Sequence, residues 1–378
     1  MFDFLKNIFN SKGDAVLGID VGPSSIKLVE LRKKKGRAIL GTYGALALGP
    51  YAGIEVGRAT SLPPQKIAEA LLDLLREAGA TTKRCGLSIP MSSSLLTIIE
   101  VPAVDEKQLA QMIPIEARKY VPLPMSEVSI DWWVIPKEQT GITDAPTDAP
   151  ASQTPGAPVQ RPQEKLTVLL VVIHKEAVLN AQEIVRLASL DASFFEIEIF
   201  STLRSVLDHD SGSVLIMDMG AGSTKLYIVD RGILRVSHII TRGSQDLTLA
   251  ISKSINVSVE QAEVMKREKG LSMTEGDANL SSVMLSSVNY IFAETNRVIM
   301  NYQKKYNKNV SKVFLTGGGS ALRGFSEMAQ KELQTEVHLA DPFAKVDSPA
   351  YLSKILKQSG PEFAVSVGLA MRRLQDLK

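Results

Sequence analysis

The sequence is poor in the residues that build covalent or metal frameworks. Its 378 residues include one cysteine, Cys85, and four scattered histidines, His174, His209, His238 and His338. A disulfide framework and a Cys/His zinc site are both excluded, and a reducing, cytoplasmic setting is expected. It has almost no charge excess, with 43 basic and 41 acidic side chains, so no global field draws it to nucleic acid or to an anionic surface. It also lacks any run of the roughly 18 apolar residues that a bilayer-spanning helix needs. The start, Met1 to Phe9, has no secretory h-region, although Phe2, Leu5, Ile8 and Phe9 would share one face of a helix. A frayed end and a surface that touches a membrane or partner are both open there.

What the sequence does have is length for two or three cores, and a break between them. Residues 137–165 carry five prolines, Pro146 to Pro162, among Ala, Thr, Ser and Gly, and read as a disordered loop. Next, Leu166 to Ile173 is a continuous apolar, β-branched run, the pattern of a strand covered on both faces. Helices are expected over Pro64–Ala78, Glu176–Leu190, Gln245–Ile255 and Leu280–Tyr306. Another is expected after an Asp105 cap, with Leu109, Met112, Ile113, Ala117 and Tyr120 on one face.

An internal repeat organises the chain. Leu17 to Leu31 lies over Leu215 to Val229 without a gap, so that Asp20, Gly22 and Lys27 fall on Asp218, Gly220 and Lys225. Each copy opens a strand, polar turn, strand, turn, strand series followed by a helix. The stretch between the copies, 85–173, looks inserted, with a strand pair Gly86–Pro90 and Leu95–Val101, the capped helix, and a strand Val128–Ile135. A helical excursion, 258–310, interrupts the second copy. The expected units are therefore 1–84 completed by 174–210, the insert 85–173, 211–257 completed by 311–378, and the helical part 258–310.

A strand that ends in Asp and turns through Gly and Ser places one carboxylate beside several backbone N–H groups. Such an edge holds phosphate, and its carboxylate holds Mg²⁺ through the ion's water shell. Gly22, Ser24, Ser25 and Lys27 form one candidate edge and Gly220, Gly222, Ser223, Thr224 and Lys225 the other, with Asp20 and Asp218 as metal candidates. One such turn also suits a structural hairpin; two in register favour a clamp. A third element, Gly317, Gly318, Gly319 and Ser320 between a strand and a helix, lets a flat base or phosphate lie on main chain.

This set resembles the actin, hexokinase and Hsp70 superfamily, with Ala262 to Lys266 similar to its ribose-framing helix and Glu362 to Ala370 to its closing helix. Within it, Leu17 to Leu31, Glu116 to Pro124, Asp131 to Val134 and Val367 to Arg372 resemble the PilM family of type IV pilus assembly, related to the division protein FtsA. The resemblance implies an α/β, actin-like two-lobed fold of duplicated RNase H-like domains with an inserted α+β subdomain. It implies ATP and Mg²⁺ as ligands, with Glu263 and Lys266 at the nucleoside. It implies a partner in the cytoplasmic N-terminal tail of a PilN-type inner-membrane protein and the pilus assembly machinery, hence a place at the inner membrane reached through that partner. The tail groove is expected between the first lobe and the insert, near Met112, Ile113 and Tyr120.

The resemblance also offers Glu198 as the residue that orients water, the alternative being that Glu196 and Glu198 are the exposed side of a strand. Pro23 stands where the family usually has Ser, removing an N–H and a hydroxyl from the terminal phosphate, and Gly243-Ser244 replaces a usual Gly-Gly. At most slow hydrolysis is expected. The competing readings are an FtsA-like membrane-associated filament protein and a small-molecule kinase of the same superfamily.

Overall fold

The computed structural model describes residues 15–136, 164–208, 212–271 and 278–376. The proline-rich stretch and the apolar start expected above lie outside them. The first sheet opens with β1 (Ala15–Val21), β2 (Ser25–Lys34) and β3 (Arg37–Ala47), followed by helix α1 (Pro64–Glu77) and strand β4 (Arg84–Ile89). The chain then forms β5 (Ser94–Pro102), α2 (Glu106–Ala117), β6 (Val128–Ile135) and β7 (Lys165–His174). It returns through α3 (Lys175–Leu187), β8 (Asp191–Ile197) and α4 (Glu198–Val206).

The second sheet begins with β9 (Val214–Met219), β10 (Thr224–Asp230) and β11 (Ile233–Ile240). Three helices follow, α5 (Ser244–Ile255), α6 (Val259–Lys269) and α7 (Ala278–Tyr306). The chain closes with β12 (Lys312–Thr316), α8 (Phe325–Leu333), β13 (Glu336–Leu339), α9 (Ser353–Ser359) and α10 (Ala364–Asp376).

The repeat in sequence is a repeat in topology. The strand orders are β3-β2-β1-β4-β8 and β11-β10-β9-β12-β13, each an antiparallel meander continued by parallel strands. Even the register agrees, since Asp20 pairs with Lys27 and Asp218 with Lys225. The central strands are apolar because they are covered on both faces, and β9 is buried along its whole length.

Three expectations on organisation change. Gly86–Pro90 and Leu95–Val101 do not pair with each other: β4 joins β1 and β8 in the first sheet, and β5 pairs with β7 in a separate sheet ordered β5-β7-β6. Alternation in a short strand reports its burial and not its neighbour, so it does not say which sheet a strand joins. The three-stranded sheet packs α2 through Leu109, Ile113 and Ala117, and Asp105 caps that helix by accepting from Gln108 N at 2.8 Å. Met112 and Ile113 are thereby used in this core, whereas Tyr120 and Ile115 stay exposed.

The second change concerns the last helix. α10 does not complete the second lobe; it lies on β1 and α4, with Val367, Ala370 and Leu374 packed on Val16, Val29 and Leu31. The crossing is close enough to explain two glycines of the motifs. A methyl group on Gly18 would sit 1.9 Å from the Ser366 carbonyl oxygen, and one on Gly368 would sit 1.9 Å from that of Ser201.

The third change is at Glu196 and Glu198, neither of which is an exposed strand position. The strand ends at Ile197 and Glu198 opens α4, with both carboxylates buried. Glu196 accepts from Ser201 Oγ, Arg204 and Arg372, the last at 2.6 Å from the closing helix. Burial raises the cost of its charge, but the two guanidiniums outweigh this and hold its pKa below the usual range. Cations supplied by distant segments are invisible to periodicity.

Candidate functional site

The two Asp-Gly hairpins face each other across a cleft of about 890 Å³. In each, the strand carries its Asp to the sheet edge and the turn is closed by the same bond, Gly22 N to the Ser25 carbonyl and Gly220 N to the Ser223 carbonyl, both 3.0 Å. The turns almost meet. A methyl group on Gly222 would lie 4.0 Å from Pro23 Cγ and 3.8 Å from Ala59 Cβ.

Their electrostatics differ. Asp20 accepts from Ser88 Oγ at 2.8 Å, and Lys27 donates to Ser25 Oγ at 3.0 Å. Lys225 is instead enclosed between two carboxylates, 2.6 Å from Glu198 Oε2 and 3.4 Å from Asp218 Oδ2. Burial disfavours its charge, but Glu198 and Asp218 more than compensate and push its pKa well above the ordinary value. Burial pushes the Glu198 carboxyl up, Lys225 opposes this, and Asp218 and Asp20 add to the rise. Both Glu198 oxygens have donors, since Oε1 accepts from Met91 N at 2.6 Å. This carboxylate therefore fixes Lys225 and the start of α4.

At the other end, Glu263 and Lys266 lie one helical turn apart on α6, 2.6 Å from each other. Glu263 also accepts from Thr248 Oγ1 at 2.7 Å and Arg267 Nε at 2.8 Å. Burial works against the Glu263 charge, yet Lys266, Arg267 and Thr248 hold its pKa down; for Lys266 burial wins and its proton is held more loosely. Of the three consecutive glycines, Gly317 has φ +82° and stands so near β9 that a methyl group would be 2.3 Å from Asp218 Oδ1. Gly319 is likewise pressed on Met219, whereas a methyl group on Gly318 would meet nothing nearer than Glu362 at 3.8 Å. Packing accounts for two glycines of the run.

Asp20, Gly22, Ser24, Ser25, Lys27, Glu198, Asp218, Gly220, Gly222, Ser223, Lys225, Glu263, Lys266, Gly317, Gly318 and Gly319 all line this one cleft. Thr224 and Ser320 do not. Thr224 is buried and donates to the Arg242 carbonyl at 2.8 Å, and Ser320 closes its own turn by donating to the Gly317 carbonyl at 2.7 Å. Ser244 N donates to the Gly220 carbonyl at 2.9 Å, tying the first turn of α5 to the second hairpin.

Sequence reading missed Ser88, Arg267 and a strap, residues 56–62, which crosses from the first lobe to the second. Ala59 N donates to Gln245 Oε1 at 2.7 Å, Thr60 N to the Pro23 carbonyl at 2.7 Å, and Gly57 (φ +97°) rests on Glu263. Its sequence has neither period nor motif; only Gly57, required by the positive φ, gave a signal. Among the described residues no three carboxylate, imidazole or thiolate groups converge to chelate a metal directly, and no helix is long and apolar enough to cross a membrane.

Comparison with known proteins agrees with this fold. The sequence model of the family described as type IV pilus assembly protein PilM matches residues 18–148 and 154–374. A solved PilM-PilN type IV pilus biogenesis complex contains a chain 24% identical, with a TM-score of 0.77, over 95% of this chain and 98% of that one. The MreB5 of Spiroplasma citri bound to ADP shares the fold at a TM-score of 0.53 and 12% identity, over 97% and 98% of the two chains. Cell division protein FtsA of Enterococcus faecalis is 22% identical over 88% of this chain and 80% of its own length. FtsA of Bacillus subtilis is 24% identical over 39% of this chain, and only 38% of that relative's length is spanned.

Proposed function

The chain belongs to the PilM family of type IV pilus assembly proteins, and on that premise we propose that it is a nucleotide-dependent scaffold at the inner membrane. The single observation that carries the reading is the pair of hairpins in identical register, Asp20 opposite Lys27 and Asp218 opposite Lys225, facing each other across one cleft. Backbone N–H groups and hydroxyls of Ser24, Ser25 and Ser223 suit phosphate oxygens from both lobes. Glu263, Lys266 and Gly318 frame the nucleoside end. The fold relative named for bound ADP supports the same ligand class.

The donor set fits a hydrated Mg²⁺ and not a chelated one. Asp20 and Asp218 stand on opposite lobes, Glu198 is taken up by Lys225, and no three such groups converge among the described residues, so the two aspartates would hold the ion through its waters while it neutralises phosphate charge. Ligand seated between the lobes binds the closed form and shifts the population towards it. Pro23, without an N–H, weakens the stabilisation of charge arriving on the terminal phosphate, in keeping with a switch that turns over slowly.

The solved relative is a PilM-PilN complex, and for this chain the partner proposed is the cytoplasmic N-terminal tail of a PilN-type inner-membrane protein. Exposed Tyr120 and Ile115 on the insert, not the enclosed Met112 and Ile113, are the side chains available to it. The protein is then cytoplasmic and reaches the membrane through that partner.

Thermal unfolding with saturating MgATP tests the clamp. Ligand at about a hundred times its Kd adds roughly 2.7 kcal/mol, a rise of several degrees that Asp20→Ala and Asp218→Ala should remove. An unchanged melting temperature in the parent would end the nucleotide reading. Capture of the tail peptide by the full chain, with and without MgATP, tests the scaffold, and equal capture in both would remove its nucleotide dependence.

A further inference from the structure

The strap at residues 56–62 lies over the cleft between the lobes, and we propose that it gates nucleotide exchange, with Gln245 as its catch. This rests on the nucleotide reading above and adds to it the step that limits entry and release. Val56 and Ser61 line the cleft and are also exposed to solvent, so one thickness of chain separates the two there. The strap runs the length of the proposed ligand. Gly57 rests on Glu263 at the nucleoside end, Ala59 lies beside Gly222 of the second hairpin, and Thr60 N meets the Pro23 carbonyl of the first. A nucleotide seated between the hairpins and Glu263 is therefore covered along this side.

The two lobes hold the strap unequally. On its own lobe it is fixed at both ends. Before it, Ile54 N donates to the Gly49 carbonyl at 3.0 Å, and Gly49 is so close to the chain returning above it that a methyl group there would lie 2.4 Å from the Glu55 carbonyl oxygen. At its far end Thr60 N and Oγ1 both donate to the Pro23 carbonyl, at 2.7 and 3.2 Å, and Pro63 and Pro64 restrict the backbone where α1 begins. Across the cleft, the one hydrogen bond described is Ala59 N to Gln245 Oε1 at 2.7 Å, and the rest is contact of Gly57 with Glu263 and of Ala59 with the Gly222 turn. A single neutral hydrogen bond is worth about fivefold in an equilibrium, so the strap can lift from the second lobe while it stays attached to the first. Residues 56–62 contain no helix or strand that would have to unravel. The catch itself is firmly placed, since Gln245 N donates to the Ala221 carbonyl at 2.9 Å and so ties the first turn of α5 to the second phosphate hairpin. A barrier of this kind slows entry and exit alike, because it obstructs the path without holding the ligand.

The test follows association and release of tritiated AMPPNP, a non-hydrolysable ATP analogue, with Mg²⁺ on the full chain by rapid filtration. Gln245→Ala should speed both steps together by about fivefold and leave their ratio, the Kd, unchanged. Gln245→Glu keeps an acceptor for Ala59 N and should restore the parent's rates. Gly57→Ala, which places a side chain in left-handed backbone with its methyl 3.2 Å from Glu263 Cγ, should unseat the strap at its other contact and speed both steps as well. The melting temperature of each variant without ligand checks folding. Parent rates in both Gln245→Ala and Gly57→Ala would overturn the gate. Faster release with unchanged association and a weakened Kd would make the strap a binding contact instead, and a Gln245→Glu variant as fast as Gln245→Ala would remove the catch. No binding by the parent would end this inference together with the nucleotide reading, whereas binding with rates unaltered by the substitutions would end this inference alone.

Discussion

The two phosphate hairpins share backbone bonds and register, yet one is open and the other locked. In the first, Lys27 touches only a serine hydroxyl among its described contacts and Pro23 is exposed at the turn. In the second, Lys225 is held by Glu198 and Asp218, and Ser244 and Gly243 close against the turn from α5. The same geometry has thus been put to two uses: a stiff wall in the second lobe and a more accessible one in the first. The difference lies in what packs behind each hairpin, since α4 reaches the second lysine and no equivalent carboxylate is described at the first.

The largest expected consequence is in stability. Lys225→Ala leaves Glu198 and Asp218 buried without their cation and should cost about 3–5 kcal/mol in urea unfolding. Lys27→Ala should cost less than about 1 kcal/mol, and equal losses would erase the contrast. Next comes the glycine run: Gly317→Ala forces a methyl group onto Asp218 in a left-handed backbone and should cost about 2–3 kcal/mol, whereas Gly318→Ala should stay within about 0.5 kcal/mol.

A sharper comparison gives the first turn what it lacks. Pro23→Ser restores an N–H and a hydroxyl and should raise single-turnover ATP hydrolysis by about tenfold, well under the full worth of a preorganised donor. A rate unchanged by that substitution would mean that the turn is not limiting. The smallest effect is in acid. The Glu263 carboxyl is held below its usual range in the fold, so its contribution is present above the unfolded carboxylate value, about 4.3, and is lost as pH falls through the lowered folded value. Glu263→Gln should therefore flatten the decline of the melting temperature in that acid window by about a degree or two. A decline as steep as the parent's would assign acid sensitivity elsewhere, with Glu196 the next candidate.

The candidate site was legible wherever chemistry is written into a turn. Asp20 to Lys27 and Asp218 to Lys225 were readable because a strand ending in Asp and a Gly/Ser turn is a local feature, and its repetition at a fixed offset is improbable by chance. Gly317 to Gly319 were readable as a special backbone, although their reason was mixed: Gly317 and Gly319 answer to β9, and no neighbour crowds Gly318. The strap at 56–62 was not legible, because its role is to meet Gln245 and Glu263 and nothing in its own composition encodes them.

By itself the sequence determined the duplication, the positions of the turns, the capped helix at Asp105 and the family, since each depends on residues near one another in the chain. Only the tertiary structure decided which sheet β4 joins, that α10 returns to the first lobe, and that Glu198 fixes Lys225. Those outcomes depend on partners far away in sequence, and on burial that turns an alternating Glu-Ile pattern from a surface strand into two enclosed ion pairs. A carboxylate's surroundings set its charge, its reach and its use, and those surroundings exist only after the chain has folded.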